Sequence, residues 1–183
     1  MITVAALLPA CVQAVDVAPE CRVGDESTRV LTLAAQAVPT ATMLPCLDVL
    51  LPGWSFEGIQ ITDGAYRFWL SSDRTGIRTV RVELVSECDL SAAVEVVPAP
   101  GEEGTRRFEE PLSLDPVFAA NRYYTFAGGC VRVEYRFGSG DPTEVLQADQ
   151  AIGFRPRASL VRRLADLGIV LCGAGAPPCP GTD

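Results

Sequence analysis

Phe56-Glu57-Gly58-Ile59-Gln60-Ile61-Thr62, then Asp63-Gly64, then Ala65-Tyr66-Arg67-Phe68-Trp69-Leu70-Ser71 is the stretch on which the reading of the fold turns. Two segments rich in β-branched and aromatic residues are joined by a dipeptide that tolerates positive φ. A two-residue type I′ turn demands that conformation, so the stretch predicts a β-hairpin. Strands joined this tightly can only run antiparallel, because a parallel pair needs a long crossover.

Downstream, Ser72-Asp73-Arg74-Thr75-Gly76 gives a second turn, and Val80-Arg81-Val82-Glu83-Leu84 alternates with Val80, Val82 and Leu84 on one face. Ala92 to Val97 reads as a shorter strand, and Pro98 to Gly104 as a loop. Tyr123 to Ala127, Gly128-Gly129 and Cys130 to Phe137 form a second hairpin, with Val131, Val133, Tyr135 and Phe137 opposed to Arg132, Glu134 and Arg136. The word Val-Arg-Val-Glu at 80–83 and again at 131–134 suggests a duplicated hairpin, although alternating strands of this composition also produce it by chance.

Helical signals flank this β-rich middle. Asp25-Glu26-Ser27 supplies an N-cap for a helix over Thr28 to Val38, closed by Pro39. The uncharged run from Val30 to Leu47 holds Gln36, Pro39, Pro45 and several threonines, so it reads as a core helix followed by an irregular loop, not a membrane span. Near the other end, Asp141 precedes Pro142 as an N-cap before an N1 proline, with helix through Ile152. A further helix runs from Arg157 to Leu167, with apolar positions 160, 161, 164 and 167. The prediction is an α+β fold: an antiparallel sheet built from hairpins, with helices near both ends packed on one face. At 183 residues, a single domain is expected.

Composition removes several functions. The chain carries a net charge of −8, all 15 basic residues are arginine, and histidine is absent. A surface of that sign repels phosphate backbones and anionic headgroups, which disfavours nucleic acid and polybasic membrane docking. Without histidine there is no Ser-His-Asp or Cys-His nucleophile and no imidazole metal ligand. No cofactor is implied.

Seven cysteines occur, at 11, 21, 46, 88, 130, 172 and 179. Met1 to Val15 carries no charge, and Val4 to Leu8 leads into Leu8-Pro9-Ala10-Cys11, which looks like a bacterial lipobox apart from Pro9 and the missing basic n-region. An ordinary apolar first strand with a buried Cys11 thiol is the alternative for this segment. Giving Cys11 to lipid leaves Cys21, Cys46, Cys88, Cys130, Cys172 and Cys179, an even set suited to an oxidising compartment. Neighbour pairing is expected: Cys21 with Cys46, Cys88 with Cys130 and Cys172 with Cys179. No C-x-x-C pair is present, which argues against a zinc ribbon or thioredoxin-like site. The expected layout is a truncated signal-like segment and tether over 1–20, a disulfide-braced domain over 21–171 and a Gly/Pro-rich tail over 172–183.

Three further constellations bear on function. A glycosidase-like pair would have to come from Asp63, Asp73, Glu83, Glu102, Glu103, Glu109 and Glu110, but no spacing singles out two of them. Ser71-Ser72-Asp73-Arg74 has no histidine or lysine to activate a serine and reads as a capped turn. The aromatics Trp54, Phe56, Tyr66, Phe68, Trp69, Tyr123, Tyr124, Phe126, Tyr135 and Phe137 cluster on the hairpins, interleaved with Arg67, Arg122, Arg132 and Arg136. Such a surface would suit an anionic ligand, a glycan or a partner protein. The plainer expectation is that alternate aromatics fill the core while the arginines coat the wet face.

The lipobox-like start, the paired cysteines and the segments SSDRTG (71–76) and FRPRASLVRRLADLG (154–168) resemble uncharacterised exported or lipoprotein-like domains of high-GC Gram-positive bacteria, over most of residues 8–170. The resemblance implies an address and no activity. The functional expectation is a non-enzymatic, extracytoplasmic and lipid-anchored domain that binds an envelope protein or surface ligand. A His-independent carboxylate hydrolase of cell-wall glycans and a structural module of a membrane assembly are the alternatives.

Overall fold

The computed structural model describes residues 13–15, 17–22, 25–114, 117–138 and 142–171. In chain order the elements are β1 (Gln13–Val15), α1 (Asp25–Ala37), β2 (Met43–Leu47), β3 (Trp54–Thr62), β4 (Ala65–Ser72), β5 (Gly76–Val85), β6 (Val94–Val96), β7 (Arg106–Ser113), β8 (Phe118–Phe126), β9 (Gly129–Phe137), α2 (Pro142–Ala151), β10 (Ile152–Pro156) and α3 (Arg157–Asp166). Eight strands form one sheet in the order β1-β3-β4-β5-β9-β8-β7-β6, and every neighbouring pair is antiparallel. A separate ribbon pairs β10 with β2. The molecule is mainly β with some helix, an α+β arrangement.

Alternation along the central strands fixes which side of the sheet is buried. Tyr66, Phe68 and Leu70 of β4, Val80, Val82 and Leu84 of β5, and Val131, Val133, Tyr135 and Phe137 of β9 are each at most 1% exposed. They stack in ladder rows such as Phe68–Val82–Val133 and Tyr66–Leu84–Val131. Leu31, Ala34 and Ala35 of α1, Ala148 and Ala151 of α2, and Leu160 and Leu164 of α3 belong to the same core. At roughly 1.5–3 kcal/mol per buried large apolar side chain, this face decides the register, since a one-residue slip would turn the whole set to water.

The opening hairpin forms with Thr62 opposite Ala65, but its turn is not type I′. Gly64 alone is left-handed at φ 78, while Asp63 keeps a negative φ; type I′ needs both positive. A tertiary bond holds this turn in place: the Gly64 N–H donates to the Ala37 carbonyl at the end of α1, at 2.9 Å. In the second hairpin the turn falls on Ala127-Gly128, and Gly129 already belongs to β9. Gly128 is left-handed at φ 72, and a Cβ there would lie 2.0 Å from the Thr40 carbonyl oxygen, so this glycine answers to packing as well as to the turn.

Three further strands complete the fold. Met43 to Leu47 is strand β2, not irregular loop, because Ile152 to Pro156 pairs with it; Pro45 is accommodated in an isolated two-stranded ribbon with an open edge. Arg106 to Ser113 forms β7, whose charged face hides the alternation. Gln13 to Val15, in the segment read either as a tether or as an ordinary first strand, pair with β3 at the sheet edge, and Val17 and Ala18 pack on the core.

Cys21 is bridged to Cys46 and Cys88 to Cys130, the two neighbour pairs expected in the main domain. Cys11, Cys172, Cys179, the lipobox-like segment, the 172–183 tail and the Asp141 cap lie outside the described residues. Among the described residues, no helix is long and apolar enough to cross a membrane. Bridges persist in oxidising compartments, which is consistent with an extracytoplasmic address.

Candidate functional site

Residues that alternate with the core positions project from the opposite side of the sheet, and there the sequence places charge. Arg67 on β4 pairs with Glu83 on β5, which pairs with Arg132 on β9; in the next row Arg81 pairs with Glu134. Glu83 is 5% exposed and its carboxylate accepts from Arg67 on one side and from Arg132 Nη2 at 2.5 Å on the other. Arg81 binds Glu134 at 2.5 Å and lies 3.7 Å from Glu83, while Arg132 Nε reaches Glu134 at 3.2 Å. Burial pushes the Glu83 pKa up, but the hydrogen bonds from Arg67 and Arg132 outweigh it, and the net displacement is downward. The centre of this face is therefore an Arg–Glu ladder in which three arginines share two glutamates.

Beside the ladder, Cys88 draws the loop after β5 onto β9. Val85, Cys88, Leu90 and Ala93 pack on Phe108, Tyr123 and Cys130 to form a small second core on this side of the sheet. A cavity of about 430 Å³ opens between loop and ladder. Glu83, Arg132, Tyr123, Asn121 and Glu110 line it from the sheet, and Glu87, Asp89 and Ser91 from the loop. The Glu110 carboxylate accepts from Tyr123 Oη at 2.7 Å and Asn121 Nδ2 at 2.8 Å, and those bonds, Tyr123 first, hold its pKa down. Asp89 is held down by the Ser91 backbone N–H. With Glu83 already matched to arginines, the acidity left to the cavity comes from Glu87, Asp89 and Glu110, against Arg132.

A second polar network lies on the inner side, at the α2 end. Arg122 is 8% exposed and stands opposite Val133, hence on the core side. Its guanidinium binds Asp149 of α2, lies 2.9 Å from Glu109 and stacks 5.5 Å from the Tyr135 ring. Arg107 pairs with Glu109 and with Glu102, which also accepts from Tyr124 Oη at 3.0 Å. The sequence had placed Arg122 with Arg67, Arg132 and Arg136 on the wet face. In Asn121-Arg122-Tyr123-Tyr124, however, the aromatic at 124 takes the inner side and carries Arg122 in with it. Residues 109, 122 and 149 come together only through the fold, and no spacing foretold them.

The other candidates fall into place individually. Of the aromatics, Trp54, Tyr66, Phe68, Tyr124, Tyr135 and Phe137 are buried in the main core, and Phe56 and Phe126 pack against it. Tyr123 joins the second core. Trp69 is half-buried on the outer side, with the Arg78 guanidinium 5.2 Å above its ring. Arg78 adopts φ 50, which costs a side-chain-bearing residue about 1–2 kcal/mol. Asp63 and Asp73 sit at hairpin turns, and exposed Glu103 accepts from the Gly101 N–H. In the 71–74 segment, Ser72 Oγ accepts from the Arg74 N–H and Ser71 Oγ from the Arg78 N–H, while Arg74 reaches Glu144 and Gln147 of α2. This is a capped turn that ties the β4–β5 hairpin to α2.

The fold and face thus define a disulfide-braced antiparallel α+β domain with a charged, recessed surface. Comparison of the chain with protein-family models, with curated proteins and with solved structures finds no match.

Proposed function

We propose that this chain is an extracytoplasmic binding domain, lipid-anchored through Cys11, with helices near both ends covering one face of the sheet and the other face engaging an envelope protein or surface ligand. The observation that carries the reading is the cavity of about 430 Å³ at the Cys88–Cys130 loop. It is recessed, lined by hydrogen-bonding groups and tethered by a bridge, and rigid pre-organisation of this kind lowers the entropic cost of binding. The acids on its wall favour a ligand or partner segment that presents a basic group, with Arg132 and Tyr123 available to an accompanying acceptor.

Three of the candidate carboxyl groups do not favour the glycan-hydrolase alternative. Glu83, Glu109 and Glu110 are engaged by arginine, tyrosine or asparagine and displaced towards the ionised form, whereas a glycosidase needs one carboxyl kept protonated as general acid.

The test is an amide-resolved NMR titration with a simple cationic probe, L-arginine methyl ester. Shifts confined to Ser91, Ala92, Tyr123 and their neighbours, and abolished by Glu110→Gln with Asp89→Asn, support the reading. Shifts that are absent, or that persist unchanged in the double variant, refute it.

A further inference from the structure

The β4–β5 ladder carries an irregularity that re-aims one cation. Leu70 pairs with Val80 and Ser72 with Gly76, so Ser71 alone stands against Ile77, Arg78 and Thr79. A bulge of this kind bends a strand and redirects its side chains. Here it leaves Ile77 84% exposed and turns Arg78 into the left-handed region at φ 50. The geometry is held from both sides: the Arg78 N–H donates to Ser71 Oγ at 2.8 Å, and Thr79 Oγ1 donates to the Arg136 carbonyl at 2.8 Å. The exposed Arg78 guanidinium lies on the outer side of the sheet, 5.2 Å from the Trp69 ring, and forms no ion pair among the described residues. Glu57, in the β3 bulge opposite Trp69, accepts from Ser55 Oγ at 3.1 Å and leaves Arg78 unpaired.

Glu87, beyond the other end of β5, is in the complementary condition. It lines the cavity of about 430 Å³, is exposed, and is engaged by no group among the described residues. Arg78 cannot reach that cavity within one chain. Even Glu83, the nearer cavity residue on β5, is five residues away, about 17 Å along an extended strand. The outer face thus carries an open cation at one end and an open anion at the other. Between them lie Trp69, Arg67, Arg81, Arg132 and Tyr123, of the residue types enriched at protein interfaces.

We propose that two copies of this domain pair outer face to outer face about a two-fold axis, and that Arg78 of each copy enters the cavity of the other to meet Glu87. The inference rests on the reading that this cavity takes a basic group, and it names that group. A two-fold contact is isologous, so a face with opposite charges at its two ends is complementary to itself when one copy is turned end for end. The stacked guanidinium keeps N–H groups free for a carboxylate, in the bidentate manner open to arginine. The face is also large enough. Five strands, β4, β5, β9, β8 and β7, about 4.8 Å apart and about eight residues long, offer about 650 Å² per copy and about 1,300 Å² in all, against about 1,200–2,000 Å² for stable specific interfaces. The net charge of −8 opposes indiscriminate contact between copies, which favours the one register that brings Arg78 to Glu87.

The experiment is sedimentation velocity across a concentration series, on the full chain carrying Cys11→Ser so that no acyl group contributes. A concentration-dependent dimer is expected. Arg78→Glu and Glu87→Arg each weaken it at least roughly tenfold, since each sets like charges together at two symmetric contacts. The double variant, Arg78→Glu with Glu87→Arg, restores it, because each copy then presents the exchanged charges to the other. Both positions are exposed, so an unchanged melting temperature verifies that each variant is folded. A monomer at every concentration, a dimer that neither single variant alters, or a double variant no better than the singles overturns the proposal. Titration of Arg78→Glu with L-arginine methyl ester separates this from the reading beneath it. Shifts retained at Ser91, Ala92 and Tyr123 uphold the cavity even where the chain proves monomeric, and their loss overturns both.

Discussion

Glu83 of β5 stands directly opposite Arg132 of β9, and the same strand pair sets Arg81 opposite Glu134. The two copies of Val-Arg-Val-Glu, at 80–83 and 131–134, pair with each other, antiparallel about Val82 and Val133. Reversal of direction brings each arginine to the other copy's glutamate, so one short word written twice specifies both an apolar inner row and a neutral outer one.

Replacing Glu83 with Gln removes the shared partner of Arg67, Arg81 and Arg132. Exposed ion pairs contribute about 0–1 kcal/mol, but breaking a buried one costs about 3–5 kcal/mol. The carboxylate here is buried while its arginines are about one-third exposed, which places the expected loss between those limits, at about 2 kcal/mol. Urea denaturation measures it. The charge exchange Glu83→Arg with Arg132→Glu should recover part of the loss, and a double variant no better than the sum of the singles would contradict a cross-strand pairing.

Acid should weaken the fold through the same groups. Glu83, Glu109 and Glu110 are held below the ordinary glutamate range. A group with a depressed folded pKa contributes stability that is complete above its unfolded pKa, about 4.3, and is lost as pH falls through the folded value. Stability is therefore expected to be insensitive to these groups near neutrality and to decline below about pH 4.3. Denaturation midpoints measured across pH check this, and Glu83→Gln should flatten the decline.

The bridges close loops of 25 and 42 residues. By chain entropy these are worth about 3.5 and about 4 kcal/mol respectively. Cys88→Ser with Cys130→Ser should cost about that larger amount and, by freeing the 86–93 loop, abolish probe binding at the cavity. Retained binding in a folded double variant would detach the bridge from the site.

Two glycines separate conformation from packing. Gly64→Ala meets open space and bears only the penalty of its positive φ, about 1–2 kcal/mol. Gly128→Ala bears that penalty and drives a methyl into the Thr40 carbonyl, so its loss should exceed that of Gly64→Ala by a kilocalorie or more. Thermal denaturation of the two variants gives the ordering, and equal losses would contradict the packing argument.

The hairpins, the helices and the two bridges of the main domain were legible because each announces itself locally: Asp63-Gly64 by turn chemistry, Val131 to Phe137 by alternation, α3 by its apolar spacing. β2 was hidden by Pro45, and β7 by the charges of Arg106, Arg107, Glu109 and Glu110, since both are strands only by virtue of partners distant in sequence. The site was less visible. Glu83 and Arg132 stood in plain alternation, but what they face depends on strand order, and Arg122 turned inward against its charge because Asp149 and Glu109 wait there to neutralise it.

The central claim is a domain braced by disulfides and matured outside the cytoplasm. Peptide mapping of the native protein, alkylated without reduction, tests it most directly. The structure predicts linked peptides joining Cys21 to Cys46 and Cys88 to Cys130, with none of these four alkylated. Recovery of the four as alkylated free thiols would contradict it.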